Sequence, residues 1–207
     1  MATTRGDPNH RGATRAPRVL TATTSADGSI DDPHVWYDPS VPAKVGDALG
    51  RALVQHSPGT REVVERGITR WTRLQRRFAA RVRAARAAVD GSEVVSSEPV
   101  ARYLLDAVGL RDVTPAAYAT ATANESEPSP SAVRATTRIL EAGIPRALVL
   151  NRQSEGASTG HLVAAAKAGG VAVVSVTEGP PANAAFYEWM SSELRDLVGA
   201  VKRGDDA

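Results

Sequence analysis

Residues 147–176 have the sequence ALVLNRQSEGASTGHLVAAAKAGGVAVVSV, which contains two short apolar runs separated by a longer segment. The runs 147–150 and 171–176 have the length and composition of buried strands. Residues 158–168 between them are predicted to form a helix that ends at Gly169-Gly170. Two strands joined through a helix run parallel to each other, so this stretch predicts a parallel sheet.

The alternation of strand and helix extends back to residue 92. Residues 94–96 are a further strand candidate, and residues 115–122, which are rich in Ala, Thr and Tyr, are another. Helices are predicted over 99–108, 129–142 and 184–201. The fold class predicted is therefore α/β, with a four-stranded, mainly parallel sheet that carries helices on both faces.

The chain before residue 92 has a different character. Residues 41–56 are predicted to form a short amphipathic helix, and residues 60–89 form one long helix whose apolar residues recur every three or four positions. Residues 1–30 show neither helical nor strand periodicity, and we expect a poorly ordered tail there. The predicted organisation is a tail (1–30), a short N-terminal segment (31–58), a long helix (59–90) and an α/β unit (91–207).

Composition excludes several classes of protein. Hydrophobic residues make up 42% and charged residues 23%, which is typical of a folded globular chain. There is no Cys, so disulfides, thiolate metal sites and a Cys nucleophile are excluded. The net charge of +2 gives no support for a nucleic-acid partner. The exposed side of the long helix carries several arginines, which we interpret as a solvated face rather than a nucleic-acid site: Arg70, Arg73, Arg77 and Arg81.

Two acidic residues follow predicted strands. Glu98 comes shortly after strand 94–96, and Glu178 comes shortly after strand 171–176. Ligands of open parallel sheets bind beyond the carboxyl ends of the strands, which places both carboxylates at one edge. The pair could bind a divalent cation or act as general acid and base. Alternatively, each glutamate only stabilises the start of the helix that follows it.

A rigid loop at 32–39, DPHVWYDP, contains one histidine between two Asp-Pro pairs. Such a loop could orient the imidazole of His34 toward a metal. A histidine beside a tryptophan is also compatible with simple packing. No other histidine has a partner at a spacing typical of metal ligands.

The same loop resembles the DPHxW(L)DP motif in the metal-binding subunits of ABC importers for zinc and manganese. The resemblance continues collinearly over roughly residues 31–203. It includes SSEPVARYLLDAVGL at 96–110, ANESEPSPSAV at 123–133 and GVAVVSVTEGPP at 170–181. The helix 60–89 looks like the rigid helix that joins the two lobes of such receptors.

The resemblance implies a set of metal ligands. His34 matches a histidine ligand of the first lobe, and Glu98 matches a position that is His in zinc-type members and Glu in some manganese-type members. Glu178 falls where the family has an Asp after the last strand. A donor set of one nitrogen and two carboxylates is less selective than a closed zinc site, so zinc, manganese or iron is expected as the transported ion.

The implied function is that of a receptor that delivers a divalent metal ion to the membrane permease of an ABC importer. We expect no enzymatic activity and no nucleic-acid partner. An alternative is a small α/β enzyme that uses Glu98 and Glu178 as an acid/base pair. The resemblance implies an extracytoplasmic location, although the chain as written has no signal peptide or lipid-anchoring Cys and would stay in the cytoplasm.

Compared with the family pattern, few residues precede Asp32, and no counterpart of the family's first histidine ligand is found there. We therefore expect an N-terminally truncated receptor. In it, residues 31–58 are a remnant of the first lobe with the metal-ligand loop, residues 59–90 are the linking helix, and residues 91–207 are the C-terminal lobe. We also expect an uncovered apolar stripe along residues 31–56 and 68–82, which would favour self-association.

Overall fold

A single parallel sheet organises the computed structural model, which describes residues 32–154 and 156–204. Its strand order is β2-β1-β3-β4, and every neighbouring pair is parallel. In the central register, Val95 pairs with Leu148, which in turn pairs with Val173. The strands are β1 (Glu93–Ser96), β2 (Arg111–Asp112), β3 (Ala147–Asn151) and β4 (Ala172–Val176).

Helices connect the strands and precede the sheet. Ser129 caps one of them, because its hydroxyl accepts a hydrogen bond from the backbone N–H of Ala132. The helices are α1 (Val41–His56), α2 (Arg61–Val89), α3 (Arg102–Ala107), α4 (Ala116–Ala123), α5 (Pro130–Glu141), α6 (Ala157–Ala168) and α7 (Phe186–Arg203). In the described ranges, none of these helices is long and apolar enough to cross a membrane.

Alternation along the strands separates two hydrophobic cores, one on each face of the sheet. Val94 and Val149 belong to the core that includes residues of α2, α3 and α7. Val95 and Leu148 point to the opposite face and belong to the core that includes residues of α4, α5 and α6. Helices on both faces bury the sheet, which confirms the predicted architecture.

The long helix α2 is continuous, and its two halves have different neighbours. In its C-terminal half, Phe78 and Val82 are buried in the core that it shares with α7. In its N-terminal half, the indole N–H of Trp71 donates a 3.0 Å hydrogen bond to the carbonyl of Pro42 in α1. The apolar stripe predicted along α2 is therefore largely covered within the chain itself.

One predicted strand is wrong. Residues 115–122 do not form a strand but mostly α4, with Pro115 immediately before its first turn. Ala is a strong helix former, and the buried side chain of Tyr118 packs against the sheet from the helix. The strand at this point of the chain is the two-residue β2, whose residues are both exposed, so it carries no apolar run. The tail predicted at 1–30 lies outside the described residues.

Candidate metal centre

The carboxyl ends of β1, β3 and β4 lie side by side. β3 is between the other two strands, and its last residue is Asn151. Glu98 follows the end of β1 by two residues, and Glu178 follows the end of β4 by two residues. The topology thus brings both predicted glutamates to the same edge, on either side of the end of β3.

Asn151 joins the two glutamates directly. Its side-chain Nδ2 donates to Oε2 of Glu98 at 2.6 Å and to Oε1 of Glu178 at 3.0 Å. The same Nδ2 lies 3.0 Å from Oγ of Ser154. Only 1% of Asn151 is exposed, whereas both glutamates are partly exposed and line a crevice. The amide therefore contacts the carboxylates from the protein side, beneath the crevice.

The surroundings of Asn151 fix its orientation. Its Oδ1 accepts a hydrogen bond from the backbone N–H of Gln153 at 3.0 Å, so the amide NH₂ group has to face the glutamates. Its own backbone N–H donates to Oγ of Ser97 at 2.9 Å. Asn151 is not among the site residues predicted from the sequence, although a polar residue at the end of a buried apolar run, at the edge where ligands bind, is a usable signal.

The loop at 32–39 is docked above the same edge. The phenol of Tyr37 donates a 2.7 Å hydrogen bond to the carbonyl of Thr177, next to Glu178. The phenol of Tyr103, at the start of α3, donates to the carbonyl of Asp32 at 3.0 Å. These two bonds connect the loop to the segments that follow β4 and β1.

Within this loop, Asp32 orients His34. One oxygen of Asp32, Oδ1, accepts from the backbone N–H of His34 at 3.0 Å and from its ring Nδ1 at 2.6 Å. The ring also makes an edge-to-face contact with Trp36, with the ring centroids 5.4 Å apart. Because Nδ1 carries the proton that Asp32 accepts, the lone pair of the neutral ring is on Nε2.

The charges of three carboxylates, Asp32, Glu178 and Glu98, act on the imidazole of His34. The hydrogen bond to Asp32 is the main cause that raises the pKa of His34 above its usual value, and partial burial opposes it. The negative charges of Glu178 and Glu98 raise this pKa further. His34 and both glutamates therefore share one electrostatic environment.

The three predicted ligands line one crevice with a volume of about 650 Å³. Neither glutamate serves as a hydrogen-bonding helix cap: Glu98 precedes the short helical turn Pro99–Ala101 without a side-chain cap bond, and the residue that precedes α7 is Ala185. Within residues 32–154 and 156–204, no three His, Cys, Asp or Glu side chains are close enough together to hold a metal ion. The crevice thus contains one nitrogen donor and two carboxylates. These side chains have to rotate before all three can contact one ion.

Comparison with known families and structures gives one family match. The model of the family described as the periplasmic component A of the zinc-uptake complex, ZnuA, matches residues 3–200. Among curated proteins, none is similar enough in sequence to match the chain.

Several solved structures share the fold. The laminin-binding adhesin Lmb of Streptococcus agalactiae is 16% identical with a TM-score of 0.69, over 88% of this chain and 68% of that one. FpvC of Pseudomonas aeruginosa, in complex with Mn²⁺, is 19% identical with a TM-score of 0.66, over 91% of this chain and 68% of that one. The periplasmic zinc-binding protein TroA of Treponema pallidum is 16% identical with a TM-score of 0.63, over 88% and 68%.

Proposed function

Because the chain belongs to the family of periplasmic component A proteins of the zinc-uptake complex, we propose that it binds a divalent metal ion through His34, Glu98 and Glu178. The observation that carries the proposal is the shared amide of Asn151, which holds the two glutamates together at the edge beneath the His34 loop. As in other solute receptors, the ion is the cargo and is released unchanged.

The chemistry of the three side chains suits zinc or manganese. The imidazole Nε2 is a good ligand for zinc, and carboxylate oxygens bind both zinc and manganese. The two negative charges of the glutamates neutralise the charge of a divalent cation. The mutual repulsion of these carboxylates is relieved when the ion enters, which supplies part of the driving force for binding.

Metal binding can be measured by calorimetry with zinc and with manganese at neutral pH. We expect His34→Ala and Glu98→Gln each to weaken binding by more than about a hundredfold. That loss exceeds the usual effect of changing a residue that does not touch the ion. Two matched controls remove similar groups. His161→Ala removes an exposed histidine of α6, and Glu127→Gln removes another carboxylate from the wall of the same crevice.

The controls are expected to bind as the unaltered chain does. Unchanged binding in both His34→Ala and Glu98→Gln would place the metal elsewhere. A loss of binding in Glu127→Gln as large as in Glu98→Gln would mean that the ligand set has to be revised.

We further propose that the chain presents this ion to the membrane permease of an ABC importer, outside the cytoplasm. The family description supports this partner and location, since it names a periplasmic component of an uptake complex. Immobilised permease should retain the metal-loaded chain more strongly than the metal-free chain. Equal retention of the two forms would argue against delivery.

The alternative of an acid/base enzyme has less support. General acid and general base require two carboxyl groups in different surroundings, so that one is protonated while the other is ionised. Glu98 and Glu178 instead accept hydrogen bonds from the same amide. The described residues of the crevice suit the binding of a cation better than the division of two catalytic roles.

A further inference from the structure

The side chain of Asn151 occupies one oxygen of each glutamate. It donates to Oε2 of Glu98 and to Oε1 of Glu178, and no other described residue donates a hydrogen bond to either carboxylate group. Each carboxylate therefore offers the crevice one oxygen that carries no hydrogen bond: Oε1 of Glu98 and Oε2 of Glu178.

Resting on the proposed function, we infer that Asn151 sets the metal selectivity of this site by limiting both glutamates to one metal–oxygen bond each. A carboxylate binds an ion in bidentate fashion only when both of its oxygens can turn toward the ion. The hydrogen bonds to Asn151 keep one oxygen of each glutamate turned toward the protein.

Asn151 can impose this limit because hydrogen bonds and burial hold it in one orientation. Its Oδ1 is held by the N–H of Gln153, its backbone N–H is held by Ser97, and its side chain is almost fully buried. When an ion draws the carboxylates inward, each one pivots about the oxygen that the amide holds. The remaining oxygens then approach the ion singly.

Coordination number follows from this arrangement. With an ion bound, Nε2 of His34 and one oxygen from each glutamate would supply three donors, which would leave one position for water in the four-coordinate geometry that zinc prefers. Manganese prefers about six oxygen-rich ligands, and two bidentate carboxylates would supply two more of them. Because Asn151 withholds those two oxygens, the site prefers zinc to manganese more strongly than the intrinsic affinities of the two ions alone would predict.

The decisive variant is Asn151→Ala, which frees both carboxylates. We expect its zinc affinity to fall about tenfold to a hundredfold, as is usual when a hydrogen-bond partner of a metal ligand is removed. Manganese gains the freed oxygens, so its affinity should change much less. The ratio of zinc to manganese affinity, measured by competition with a chromophoric chelator, should therefore fall by at least about tenfold.

The matched control is Ser154→Ala. The hydroxyl of Ser154 is the third acceptor near the same Nδ2, but it is not a carboxylate. Its removal leaves both glutamates held by the amide, so the zinc-to-manganese ratio should not change. An equal fall of this ratio in Ser154→Ala and Asn151→Ala would overturn the inference.

A spectroscopic measurement separates selectivity from a general structural effect, and its first part uses only the unaltered chain. Cobalt(II) in the unaltered chain should give the intense visible absorption of a four-coordinate ion, and X-ray absorption of the zinc form should show about four nitrogen or oxygen neighbours. In folded Asn151→Ala the cobalt absorption should weaken as the coordination number rises. Six neighbours around zinc in the unaltered chain would overturn the inference.

The outcomes also separate this inference from the proposed function. If the unaltered chain binds neither zinc nor manganese, the proposed function fails and the inference fails with it. If it binds zinc through His34 and Glu98, but Asn151→Ala keeps the same metal ratio and the same cobalt spectrum, the proposed function stands and only the role of Asn151 is wrong.

Discussion

At the residue level, the pair formed by Asp32 and His34 determines the state of the imidazole. The hydrogen bond from Nδ1 to Asp32 raises the pKa of His34, so the contribution of this pair to stability is full below pH 6.5 and is lost as the pH rises through the raised pKa. A protonated imidazole cannot bind a metal. Metal affinity should therefore fall as the medium becomes acidic.

Replacing Asp32 tests this coupling. In Asp32→Asn the negative charge is lost, so the pKa of His34 should fall, and metal affinity should fall about tenfold because the ring is held less firmly. NMR titration of the imidazole measures the pKa of His34, and calorimetry measures the metal affinity. Asp38→Asn is the control, since Asp38 lies in the same loop but accepts from the backbone N–H of Ser40. An unchanged pKa of His34 in Asp32→Asn would contradict the assignment.

Glu193 in α7 gives a second prediction at this scale. Its Oε1 accepts from the indole N–H of Trp189 at 2.8 Å and from the hydroxyl of Thr177 at 3.1 Å, while its Oε2 is buried without a described partner. Burial raises the pKa of Glu193 above its ordinary value of 4.5. The folded state thus holds this proton more tightly, so the free energy of unfolding falls as the pH rises from 4.5 through the raised pKa.

The variant Glu193→Gln should lack this pH dependence. Its stability relative to the unaltered chain should increase between pH 4 and pH 8, as measured by urea denaturation at both values. Glu141→Gln removes an exposed carboxylate of α5 and serves as the control. A constant stability difference for Glu193→Gln across this range would show that the carboxyl is not buried as described.

At the level of elements, the contact between α1 and α2 depends on a close approach at Gly46. A Cβ atom there would lie 2.5 Å from Nε1 and 2.6 Å from Cδ1 of Trp71. The indole cannot move freely, because it donates to the carbonyl of Pro42 and packs against Tyr187 with the ring centroids 4.7 Å apart. The absence of a side chain at Gly46 is therefore a packing requirement.

Two glycine-to-alanine changes should consequently shift the free energy of unfolding in opposite directions. Gly46→Ala should lower the free energy of unfolding by about 1–3 kcal/mol, as overpacking does. Gly67→Ala, at an exposed helical position of α2 with open space around it, should raise it by about 1 kcal/mol through helix propensity. Denaturant titration measures both variants. Stabilisation by Gly46→Ala would show that α1 does not pack closely on Trp71.

At the level of the whole molecule, an apolar row remains exposed on α1. Val45, Leu49 and Leu53 are 51%, 57% and 46% exposed and lie on one side of the helix. Sedimentation velocity should show association that increases with protein concentration and that decreases in the double variant Leu49→Lys with Leu53→Lys. Ile144→Lys, which removes one isolated exposed side chain, should not change it. A monomer at every concentration would contradict the prediction.

Local patterns determined most of the architecture. The apolar runs at 147–150 and 171–176 correspond to β3 and β4, and the repeat in residues 60–89 corresponds to α2, because buried strands and amphipathic helices each leave a regular spacing of apolar residues in the sequence. The position of Glu98 and Glu178 at one edge followed from the same patterns, since parallel strands end on the same side of a sheet. The strands and the helix depend mainly on neighbours along the chain, and the shared edge then requires only that the strands belong to one parallel sheet.

Tertiary structure decided the features that depend on distant pairings. β2 is exposed and only two residues long, so its existence depends on its hydrogen bonds to β1 and leaves no apolar run. The bond from Tyr37 to Thr177, which brings the His34 loop to the edge, joins residues 140 positions apart. Asn151 reaches Glu98 and Glu178 only because β3 lies between β1 and β4. Strand order is set by which faces of the helices and strands can be buried together, and no local spacing of residues encodes that choice.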